Sequence, residues 1–88
     1  MKNLDEQINY IQEKLEWEES EAIDSERFQT EREEIHRKAG FFDEGNPCML
    51  AQMAHNRKCA DARIANHIEE AEMFRCILES LTKLKSLE

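Results

Sequence analysis

Cys48, His55 and Cys59 come closest to a chemical constellation in this chain. On a helix His55 and Cys59 stand one turn apart and Cys48 two turns before His55, so the three project within about 60° of one another. Thiolate and imidazole are zinc ligands in type. A closed zinc site needs four ligands, however, and there is no Cys-x-x-Cys pair; the first half adds only His36 and carboxylates. Used instead as a nucleophile and base, the cysteine and histidine would lack an oxyanion site, and side chains on one helix point outward in parallel. The reading is no metal, no cofactor and no catalytic residue, with Cys48, Cys59 and Cys76 as small buried apolar side chains.

Carboxylate chemistry is also excluded by spacing. All-helical nucleotide hydrolases hold magnesium with Glu-Glu-x-x-Glu on one helix and Glu-x-x-Asp on another, and Glu33-Glu34 and Glu69-Glu70-x-Glu72 miss that pattern. No phosphate loop, nucleophile elbow or zinc-protease motif is present. The chain is read as a binder, not an enzyme. Arg57, Lys58 and Arg63, with only Asp61 between them, could hold an anionic, nucleotide-like ligand at a subunit seam together with Tyr10. The simpler expectation is that these cations pair with Glu31, Glu33 or Glu34 of the first half.

Charge is distributed unevenly. The 88 residues carry a formal net charge of −8, all of it in residues 1–46, because residues 47–88 hold equal numbers of acidic and basic side chains. Between Glu13 and Glu26, seven carboxylates face Lys14 alone. Direct nucleic-acid binding is disfavoured, since phosphate contacts need a basic surface. An acidic arm carrying Trp17, Glu18, Glu19, Glu21 and Asp24 suits instead a protein partner with a basic surface, such as a nucleic-acid-binding protein. The plainer alternative is a solvated face that keeps a small oligomer soluble, with Trp17 buried at a helix kink. Size and charge are compatible with the small accessory or inhibitory proteins that phages and other mobile elements encode.

The elements that must position these groups are helices. With 2 Gly, 1 Pro and 36% charged residues, the composition disfavours a sheet protein. Asn3 caps a first helix, and Leu4, Ile8, Ile11 and Leu15 follow at packing-seam spacing. Beyond Leu15 that seam meets Glu18, Ala22 and Ser25, while Trp17, Ile23, Phe28 and Ile35 lie in another phase. This predicts one bent helix, or two, with the irregularity between about residues 18 and 27. Ala39-Gly40 stops the helix, Phe41 and Phe42 plug the bundle end, and Asn46-Pro47 starts a second helix as cap and first residue. The expected bounds are about 3–39 and 47–86, with a turn over 40–46, in one domain.

The second helix carries two stripes. Leu50, Met53, Ala60, Ile64, Ala71, Phe74, Leu78 and Leu81 form one seam, interrupted by Arg57 and by His67, the latter expected to pair with a carboxylate. Cys48, Cys59, Ala62, Met73, Ile77 and Leu84 form the other. One partner helix cannot cover both. The sequence therefore predicts an all-α protein, a long antiparallel helical hairpin assembling with itself into a coiled-coil-like bundle. No apolar run spans a membrane and no secretory leader opens the sequence, so a cytoplasmic protein is expected. Three cysteines cannot all pair within one chain, which agrees with a reducing compartment.

Overall fold

In the computed structural model, which describes residues 3–40 and 46–88, the chain is two antiparallel helices: α1 (Leu4–Lys38) and α2 (Pro47–Ser86). Among the described residues there is no strand. The expected plug of Phe41 and Phe42 lies outside those residues.

The helix ends follow from local chemistry. Asn3 Oδ1 accepts the Glu6 amide at 2.8 Å, and Asn46 Oδ1 accepts the Met49 amide at 3.2 Å, each satisfying an orphan donor of a first turn. Pro47 takes the first helical position, where a missing N–H costs nothing. At the other end of α1, Gly40 adopts φ 80°, a left-handed conformation that a Cβ would penalise, and its amide bonds to the Arg37 carbonyl. Asp5 and Glu6 in the first turn of α1, and His36, Arg37 and Lys38 in its last, complement the helix dipole.

Of the two expectations for the first half, one bent helix or two helices, the structure gives a single continuous helix. The helix runs unbroken because the seam continues in its original register, through Glu18, Ala22, Ser25 and Gln29, with small and polar residues in place of large apolar ones. Gln29 is buried, and Glu18, Ala22 and Ser25 are half-buried. The out-of-phase residues Trp17, Ile23, Phe28 and Ile35 simply stay at the surface. On α2 the first predicted seam is the one that faces α1: Met53, Ala60 and Ala71 are buried, and the rest of the seam, Arg57 and His67 included, is half-buried.

This seam is a thin core. Leu15, Met53, Ala60 and Ala71 are its only buried apolar residues among those described, and no large side chain is fully buried. The body measures 67 × 20 × 16 Å with a radius of gyration of 19.5 Å, against about 12 Å for a compact domain of this length. Its accessible surface, 6637 Å², exceeds the about 5,400 Å² expected of a compact monomer of the same mass.

Candidate functional site

Polar stations interrupt the seam at two levels. At the first, Arg57 of α2 reaches across to α1. Its Nε donates to Glu33 at 3.0 Å and its Nη2 donates to the other oxygen of the same carboxylate, while Nη1 donates to Glu26 at 3.0 Å and to Asp61 at 3.1 Å. Glu33 also accepts a hydrogen bond from buried Gln29. The Arg57 hydrogen bond, reinforced by its charge and working against partial desolvation, holds the Glu33 carboxyl below the usual carboxylate range. The carboxylates of Glu33, Asp61 and Glu26 in turn push the guanidinium pKa further up. The expected pairing of Arg57 with the returning helix is thus present through Glu33, with Glu26 and Asp61 added.

At the second level, His67 Nδ1 donates to Glu18 Oε2 at 2.7 Å, the carboxylate partner expected for this histidine. Trp17 lies edge-on against the His67 ring, with centroids 5.9 Å apart, and stays 54% exposed. Its expected burial fails, because its position on α1 is out of phase with the seam that faces α2. Further along, Arg75 bridges Glu19 at 3.3 Å and its own helix neighbour Glu72, and Lys85 pairs with Asp5 near the termini. Together these pairs fix the antiparallel register.

The five residues read as one acidic arm point in different directions. Glu18 belongs to the seam. Glu19 stands on one flank of the hairpin, on the rim of a trough of about 500 Å³ whose apolar lining is Ala22, Ile23, Ile64, Ile68 and Ala71. Glu21 and Asp24 stand on the opposite flank, in a cleft with Ser25, Phe28 and Arg63, and Trp17 leans to that side from a second cleft with Tyr10, Glu13 and Lys14.

The proposed anionic-ligand residues are also dispersed. Arg57 is engaged by three carboxylates, Lys58 and Arg63 are exposed, and Lys14 lies over the Tyr10 ring at 5.5 Å. By the register of the Lys85–Asp5 pair, Tyr10 is level with the Ser80 region of α2, some 23 residues from Arg57, which is roughly 35 Å along the axis. Within one hairpin these four do not share a site.

The cysteines are surface residues. Cys48, Cys59 and Cys76 are all free and exposed, contrary to the expected burial, because the stripe that holds Cys48 and Cys59 faces away from α1. His55 Nε2 lies 3.5 Å from Cys59 Sγ on that open side. Among the described residues, no group of three or more His, Cys, Asp or Glu side chains is placed to hold a metal.

The two flanks differ in character. The trough flank is bounded by two ionic clusters in which carboxylates outnumber cations: Glu26, Glu33 and Asp61 around Arg57, and Glu19 and Glu72 around Arg75. Its exposed apolar residues are Ile23 and Ile68. The other flank carries Phe28 and Ile35 on α1, with Trp17 beside them, and Ile77 and Leu84 on α2. Arg63, Glu70, Ile77 and Leu84 recur every seven residues, so they share one edge of α2, and Met73 lies next to them. Sequence reasoning missed Gln29, Glu26 and the Ile23–Ile68 trough; the signal for them was the uninterrupted seven-residue register, which holds once polar residues are allowed in it.

No protein-family model matches this chain, and neither a curated protein nor a solved structure matches it. No helix among the described residues is long and apolar enough to cross a membrane.

Proposed function

We propose that this chain is a binding module, a self-associating acidic helical hairpin that docks on a protein with a basic surface of the kind that nucleic-acid-binding proteins present to phosphate. The carrying observation is the imbalance between core and surface. Four apolar residues are buried, whereas ten large hydrophobic side chains are exposed among the described residues. Exposed apolar area on that scale marks surfaces that other chains cover.

The carboxylate surplus supports a basic partner. Around the trough five carboxylates are already ordered by two guanidiniums, so arriving lysines or arginines meet preset acceptors, and apolar groups between them meet Ile23 and Ile68. The role is binding and not catalysis: the His55–Cys59 contact sits on open surface. Three exposed free thiols suit a reducing cytoplasm.

Affinity capture from the source cell tests this reading, run in parallel with the natural chain and with Glu19→Gln/Glu72→Gln. Both positions are exposed, so the hairpin should persist. Proteins held by the natural chain should be basic, released by salt and depleted with the variant. A captured set without basic bias, or one indifferent to the two substitutions, refutes the docking surface and leaves a purely structural oligomerisation role.

A further inference from the structure

We infer that two copies of this chain pack face to face through the flank of Trp17, Phe28, Ile35, Met73, Ile77 and Leu84, forming an antiparallel four-helix bundle about a two-fold axis. This specifies the self-association named above and rests on it.

Area singles out this flank. These six residues are 37–66% exposed; at about 200 Å² per large side chain they offer about 600 Å² before their smaller neighbours are counted. A stable interface buries about 800 Å² on each partner. Ile23 and Ile68 on the trough flank offer only about 200 Å² by the same measure. An isologous contact there would also set the carboxylate surplus against its own image.

The pattern along the flank is self-complementary. An axis crossing α2 between Asn66 and His67 carries residue 63 to the level of 70, 56 to 77 and 49 to 84. Arg63 of each copy then meets Glu70 of the other, giving two ion pairs from residues that lie seven apart on one helix and do not pair within it. The same rotation lays Met73, Ile77 and Leu84, toward the chain ends, over the level of Phe28 and Ile35, nearer the turn. Phe28 and Arg63 line one cleft on this flank. An apolar cluster therefore meets an apolar cluster at both ends, with the charged band at the axis. An isologous dimer requires such matching of one patch to itself.

Sedimentation equilibrium of the full chain over a wide concentration range, with circular dichroism to confirm helicity, tests the arrangement. The natural chain should weigh two chains. Phe28→Asn/Ile77→Asn should run as one chain, since both sites are surface positions of the hairpin. Arg63→Glu and Glu70→Arg should each weaken association by about tenfold or more, because each change places like charges together twice in the dimer, and the double variant R63E/E70R should recover most of the loss. A single-chain mass at every concentration overturns both this arrangement and self-association. A dimer that survives Phe28→Asn/Ile77→Asn but breaks with Ile68→Asn overturns this face and leaves self-association standing. Failure of the double swap to rescue overturns the axis.

Discussion

Replacing Arg57 by leucine tests how the polar seam works. From the sequence, where Arg57 interrupts an otherwise apolar stripe, leucine is expected to raise stability while loosening the specificity of assembly. The structure reverses the first part. Arg57 is the common partner of Glu33, Glu26 and Asp61, so its removal leaves three carboxylates together, one of them half-buried beside buried Gln29. The Glu26 and Asp61 pairs are exposed and contribute a few tenths of a kcal/mol each. The two-pronged bond to Glu33 is better covered, with side chains 30% and 20% exposed; charge-assisted bonds contribute about 1.5–3 kcal/mol when buried, and at this solvent-reached edge about 1–1.5 kcal/mol is retained. Arg57→Leu should therefore cost about 2 kcal/mol, less what the added apolar group returns, a net loss of about 1 kcal/mol and a fall of about 4–8 °C in melting temperature. The assay is thermal and urea unfolding at fixed protein concentration, because association shifts apparent stability. The double variant Arg57→Leu/Glu33→Leu should recover natural stability or exceed it, since an apolar pair replaces the best-covered ionic one and the two carboxylates left behind, Glu26 and Asp61, are exposed to solvent. A single variant at least as stable as the natural chain, or a double variant no better than the single, would refute this account.

Acid should weaken the same station. The folded Glu33 carboxyl ionises more readily than in the unfolded chain, so its contribution is complete above the ordinary value of 4.5 and is lost as pH falls below that through the depressed folded value; urea unfolding of the natural chain and of Glu33→Gln should converge below that pH, and a gap that widens there would contradict the assignment. Ala60→Leu should destabilise by about 1–3 kcal/mol, because Ala60 is fully buried in the seam that faces α1; equal or higher stability in urea unfolding would mean that the seam has room to spare. A thiol reagent should modify Cys48 and Cys76 promptly in the folded protein, while Cys59, beside the association flank, should be protected increasingly as concentration rises. Three equal, concentration-independent rates would count against that flank.

The sequence by itself determined the two helices and their ends. Asn3, Gly40 and Asn46 act through bonds to residues a few positions away, Pro47 acts through its own fixed φ, and α2's main seam is a strict seven-residue recurrence; all are local properties of the chain. It also determined that α2 has more apolar surface than one partner helix can cover. Only the tertiary structure decided the fate of α1. Whether Glu18, Ser25 and Gln29 break a helix or stay in its seam depends on what stands opposite, and His67 and Arg57, distant in sequence, supply partners for Glu18 and for the Gln29–Glu33 pair. The acidic arm divides among faces for a related reason. Consecutive residues of a helix lie 100° apart, so Glu18, Glu19 and Glu21, adjacent in sequence, reach the seam, one flank and the other. Charge density was legible along the chain; its division among faces came only with the second helix.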